Sequence, residues 1–145
     1  PVRWVQDLGF GYGYPVFNFY PPDYMAPSTD VLGPQFKIMQ TGTILSRTNF
    51  AHDLLLARAE VVVPSTTVSG ATGTRTSSSI FNTLAANPVA LVDRLSVLFC
   101  NNGLTAQEKA AIVPAVTAIP ATEVARRVRT AIYLVVTSAQ YQVSN

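Results

Sequence analysis

The chain has 145 residues, with 10 Lys and Arg against 8 Asp and Glu, a net charge of +2. That excess is too small to argue for nucleic acid, and charged residues make up only 12% of the chain, where roughly 25% is usual in soluble domains. Mean hydropathy is +0.26, yet the longest apolar run, near Ala131 to Val136, falls far short of the roughly 18–20 residues that span a bilayer.

A chain so poor in charge that does not cross a membrane is expected to cover much of its surface with other protein. The simplest expectation is that it forms the C-terminal part of a longer polypeptide, and a start at Pro1 without Met fits that. Its length suffices for one domain with one core. The single cysteine, Cys100, cannot form an intrachain disulfide and says little about redox compartment.

In chain order, Val2 to Leu8 is long enough for two helical turns, and Gly9, Gly11 and Gly13 then break it. Gly-X-Gly-X-Gly suggests a phosphate loop only between a strand and a helix. Pro15 and an extended aromatic segment follow instead, so the glycines read as irregular chain. The first 24 residues hold Trp4, Phe10, Tyr12, Tyr14, Phe17, Phe19, Tyr20 and Tyr24, which is 8 of the 14 aromatics. Prolines 15, 21, 22, 27 and 34 remove donors and push their predecessors to extended backbone. Residues 1–33 therefore read as an aromatic, proline-rich arm.

A helical pattern covers 34–60, with Ile38, Gly42, Leu45 and Asn49 on one face and Phe50, Leu54 and Ala57 continuing an apolar stripe. Residues 61–86 read as loop, because Ser65 to Ser79 is mostly Ser, Thr and Gly with Arg75 the only charge. Three helices fill 87–145. Asn87-Pro88 reads as a cap followed by proline at the first helical position. Leu91, Val92, Leu95, Leu98 and Phe99 then form an amphipathic stripe, which Asn101-Asn102-Gly103 terminates. Thr105 to Glu108 is a capping box. The next helix turns Ala110, Ile112, Val113, Val116 and Ile119 inward, and Pro114 is expected to kink or shorten it. Thr122, with Glu123 in the first turn, opens the last helix, whose buried stripe is Val124, Val128, Ile132 and Val135. Residues 139–145 read as a polar tail. The expected fold is all-α, a single domain of about four main helices.

Two blocks together resemble the C-terminal part of the bacterial family of unknown function DUF1800. The first is Pro15-Val16-Phe17-Asn18-Phe19-Tyr20-Pro21-Pro22-Asp23-Tyr24, with Leu8-Gly9 upstream. It is similar to that family's Ser-Val-Phe-Asn-Phe-Phe-x-Pro-Asp-Tyr motif, departing from it at Pro15. The second comprises Leu91 to Leu95, the Leu104-Thr105 helix start, Ala125 to Ala131, and Ser138 to Val143. The resemblance implies an exported location, a length several times this one, and frequent encoding beside a second exported family that looks related to sulfatases and phosphatases. It carries over no catalytic residue.

Chemistry-bearing residues are few. His52 is the sole histidine. Asp53 beside it lies about 100° around a helix and cannot readily orient it. No Gly-X-Ser-X-Gly elbow is present, so no catalytic set is assigned. Metal binding needs several convergent His, Cys or carboxylates. Asp23 and Asp30 flank a loop without EF-hand spacing, so no metal and no cofactor is expected. Arg126, Arg127 and Arg129, with Arg94, are the one basic cluster and read as partners of Asp93, Glu123 or another part of the protein.

The aromatic arm is the candidate binding surface, through Tyr12, Tyr14, Phe17, Asn18, Phe19, Tyr20, Asp23 and Tyr24, since large aromatics are chiefly core and interface anchors. The first functional expectation is a non-catalytic segment docking to the rest of its own protein or to a partner chain, with no nucleic acid. One alternative is part of an exported hydrolase with Asn18, Asp23 and Tyr24 in its site. Another is a carbohydrate-binding module using Tyr12, Tyr14 and Tyr20.

Overall fold

The structure is a computed structural model that describes residues 22–26, 30–33, 41–57 and 76–142. The chain divides into two compact units, Pro1–Phe50 and Ala51–Asn145.

In the first unit, Met25 and Leu32 form an isolated antiparallel bridge. The Ala26 N–H donates to the Val31 carbonyl at 2.9 Å, and the Gly33 N–H donates to the Tyr24 carbonyl at 2.8 Å. This is the one pairing of extended backbone among the described residues. The first helix, α1, covers Thr41–His52, its last two residues, Ala51 and His52, belonging to the second unit. The helix carries Ile44 and Leu45 exposed.

The second unit holds the core. A π-helical segment, Asp53–Ala57, continues directly from α1. A π turn takes one residue more than an α turn, and the apolar stripe slips accordingly. Leu55 is buried, whereas Leu54 is half-buried and Ala57 exposed, the reverse of the α-period expectation. The stretch read as loop contains a 3₁₀ helix, Ser79–Leu84, which buries Phe81. Residues 58–75, including most of the Ser/Thr-rich run, lie outside the described residues.

Helix α2 spans Pro88–Cys100. Its start follows from Asn87, whose side chain accepts from the Ala90 N–H at 3.1 Å, and from Pro88 in the first turn. Helix α3 spans Ala106–Thr117. Its capping box is reciprocal. The Glu108 N–H donates to Thr105 Oγ1 at 3.2 Å, and the Thr105 N–H donates to Glu108 Oε2 at 2.8 Å. Such a cap contributes about 1 kcal/mol. The helix runs through Pro114 and ends at Thr117, whose hydroxyl donates to the Val113 carbonyl at 2.7 Å.

Helix α4 spans Val124–Val136. Glu123 is its N-cap and not a first-turn residue as the sequence suggests. A turn closed by the Glu123 N–H on the Pro120 carbonyl at 2.9 Å delays the helix start. The expected polar tail forms a short helix, α5, over Ala139–Gln142. It is tied down by Gln142 Nε2, which donates to the Val136 carbonyl at 2.7 Å.

Helix α4 is the central element. It packs on the π segment, the 3₁₀ helix, α2, α3 and α5. The core joins Leu55, Phe81, Leu91, Val92, Leu95 and Leu104 to Ile112, Val116, Val128, Ala131, Ile132 and Val135. The all-α bundle expected from the sequence is what the described residues form.

Candidate functional site

Of the buried polar residues of the second unit, Ser78, Ser96 and Arg127, two tie its elements together. Arg127, only 6% exposed, sits on the inner face of α4. Its Nε and Nη2 donate to the Ile119 carbonyl, Nη2 also to the Thr117 carbonyl at 3.3 Å, and Nη1 to the Ala85 carbonyl at 2.9 Å. One guanidinium thus ties α4 to the chain leaving α3 and to the end of the 3₁₀ helix. Carbonyls at helix C-termini carry the negative end of the helix dipole, so these acceptors favour a buried cation that, among the described residues, is paired with no carboxylate.

Ser96, fully buried, is the second. Its hydroxyl accepts from the Leu104 N–H at 3.3 Å. Its carbonyl accepts from the Asn101 and Asn102 N–H groups.

The other arginines behave differently. Arg126 Nη1 pairs with Glu123 Oε2 at 2.9 Å, one of the pairings expected from the sequence. Asp93, the other expected acceptor, is paired with Lys109 Nζ at 2.7 Å, which links α2 to α3. The three arginines of α4 cluster in sequence, but the helical period puts Arg126 and Arg129 on one side and Arg127 on another; Arg127 is buried, Arg129 half-buried and Arg126 exposed. The spacing held the signal, since residue 127 lies three positions after Val124 and four before Ala131, inside the buried stripe.

His52 lies edge-on to Tyr133, with ring centroids 6.1 Å apart. Its Nδ1 is 3.5 Å from Asp53 Oδ1, both side chains being half exposed. That separation is at the limit of a hydrogen bond and leaves the imidazole oriented by ring packing. Among the described residues, no group of three or more His, Cys, Asp and Glu converges on a point that could hold a metal.

Among the described residues, α2 also carries an exposed apolar face. Helix α2 turns Val97 and Leu98 outward at 50% and 48% exposure, although the stripe places Leu98 inside. The buried set Leu91, Val92, Leu95 and Ser96 is centred toward Val92 and Ser96, about 90° around the helix from position 98, so Leu98 falls at the edge of that face and Ser96 takes the inner place. Phe99 is 37% exposed and meets Tyr141 of α5 edge-to-face at a centroid distance of 6.3 Å. Cys100 lies next to this pair in sequence. Burial pushes its thiol above the ordinary value, with the Ser138 hydrogen bond acting in the opposite direction and the Glu108 charge adding to the rise. Only the thiolate is a good nucleophile, so Cys100 is expected to alkylate with iodoacetamide more slowly at neutral pH than in the urea-unfolded chain. Equal rates would contradict this.

Of the sequence-predicted binding residues, Tyr12, Tyr14, Phe17, Asn18, Phe19 and Tyr20 lie outside the described residues. Asp23 is exposed and Tyr24 half-buried, the latter contributing its carbonyl to the bridged turn. Asp30, considered with Asp23 for a cation, is exposed as well. Asp23, Tyr24 and Asp30 thus lie in or beside the bridged turn of the first unit. The α2–α5 surface was not singled out by the sequence, because Tyr141 falls in the stretch read as tail.

No protein-family model, curated protein or solved structure matches the chain. Among the described residues, no helix is long and apolar enough to cross a membrane.

Proposed function

We propose that this chain is a non-catalytic interaction segment, related to the DUF1800 group and acting outside the cytoplasm, that docks another polypeptide surface. The observation that carries the reading is the outward apolar face of α2, where Val97 and Leu98 stand half exposed beside the Phe99–Tyr141 ring pair. In a chain with only 12% charged residues, this patch supplies the aromatic and aliphatic anchors that the centres of protein interfaces use. The resemblance in residues 15–24 supports the family and the location, and places a further set of aromatic anchors in the arm.

The test is co-purification from fractionated cells of the native source. The wild-type chain is expected in the exported fraction with a stoichiometric polypeptide partner. The double variant Val97→Lys, Leu98→Lys should lose that partner by tenfold or more, while its thermal midpoint stays within about 3 °C of wild type, since surface substitutions usually shift stability by about 0.5 kcal/mol. Recovery of the wild-type chain alone, or from the cytoplasm, would overturn the reading.

A further inference from the structure

We propose that Asn102 is a modification site, whose side-chain amide converts spontaneously to aspartate and isoaspartate at a rate set by opening of the α2 C-terminal cap. Asn102-Gly103 is the single Asn-Gly pair in the sequence. Asn102 and Gly103 are both exposed. In the reaction the Gly103 backbone nitrogen attacks Cγ of Asn102. A new C–N bond closes a five-membered succinimide, and ammonia leaves with the proton that the nitrogen gives up. Water then adds to either ring carbonyl and cleaves that carbonyl's bond to the ring nitrogen, giving aspartate or isoaspartate. The net change is amide plus water to acid plus ammonia, with no oxidant or reductant. Glycine is the least hindered following residue because it has no Cβ.

The fold restrains the same nitrogen. Its hydrogen is donated to the Cys100 carbonyl at 2.7 Å. A Cβ at position 103 would stand 2.8 Å from that carbonyl oxygen, so glycine is required there by the close approach. Asn101 and Asn102 are both left-handed, at φ 48° and 60°, and both donate their N–H groups to the Ser96 carbonyl. Three backbone bonds and the Leu104–Ser96 bond therefore hold the attacking nitrogen in place. Helix ends open locally far more often than the whole fold does, and each opening frees it.

The consequence reaches the core. Isoaspartate inserts a methylene into the backbone between positions 102 and 103, which breaks the register of those bonds and pulls on Leu104, a buried core residue. The new carboxylate also stands at the C-terminus of α2, the negative end of its dipole.

The experiment incubates the full chain at mildly alkaline pH, folded and in concentrated urea, and follows residue 102 by peptide mapping with mass detection and isoaspartate-specific methylation. Conversion is expected at Asn102 ahead of every other asparagine, on the order of tenfold slower in the folded chain than in urea. Ser96→Ala, which removes the hydroxyl that accepts from Leu104, should raise the folded rate several-fold and leave the urea rate unchanged. Equal folded and urea rates, or a folded Ser96→Ala chain that converts no faster than wild type, would overturn the proposal. Should Ser96→Ala fail to fold, the wild-type comparison alone decides.

Discussion

Arg127→Met is expected to lower the free energy of unfolding by about 2–3 kcal/mol, since hydrogen bonds made by a charged donor contribute about 1.5–3 kcal/mol. The methionine fills much of the volume but donates nothing. The Ala85, Thr117 and Ile119 carbonyls lose the guanidinium that they share; the Ala85 contact is the buried one, and a buried acceptor left without a donor costs about 1–3 kcal/mol. Against a total stability of about 5–15 kcal/mol for a domain of this kind, that is a large fraction. Arg127→Lys tests the geometry separately. It keeps the charge but not the planar fork that reaches two elements at once, so it should recover less than half of the loss. Arg126→Ala, one residue away and paired only at the surface with Glu123, should change stability by no more than about 0.5 kcal/mol. Urea denaturation at neutral pH reads all three. A loss for Arg127→Met no larger than that for Arg126→Ala would show that the interior guanidinium is not what joins the end of α3 to α4.

That contrast marks where the sequence was legible and where it was not. Caps are local, so Asn87-Pro88 and the Thr105–Glu108 box announce the starts of α2 and α3 without tertiary information. The stripe of α4 was readable because Val128, Ile132 and Val135 obey the 3.6 period. What failed depended on context. A π segment has no composition of its own, so the slip that buries Leu55 in place of Leu54 was invisible to an α-helical count. Ser96 and Arg127 are polar residues at inward positions, and a reading that equates polar with outward moves them to the surface. The start of α4 was misplaced by a turn whose hydrogen bond, Glu123 to Pro120, involves backbone alone. Of the candidate site, Asp23 and Tyr24 fall in a described turn, and the α2–α5 patch needed the short helix α5 to bring Tyr141 against Phe99.

Leu95→Ala and Leu98→Ala together decide how α2 divides its apolar residues between core and interface. Both leucines lie in one sequence stripe, but Leu95 is fully buried and Leu98 is 48% exposed. Leu95→Ala removes three carbons from a packed interior. It should cost about 3 kcal/mol through lost burial and the cavity left behind, since deletions of this kind range over about 2–5 kcal/mol. Leu98→Ala removes the same atoms from a surface already half in water. It should cost less than about 1 kcal/mol in the isolated chain, in line with the area actually removed from solvent. The order reverses if binding is the readout. Once a partner covers α2, Leu98 becomes interior, and its truncation should weaken the complex by about tenfold, or about 1.4 kcal/mol, while the isolated chain remains folded. Equal stability losses at the two positions would mean that Leu98 is a core residue, and the apolar face would then lose its strongest claim to be a docking surface.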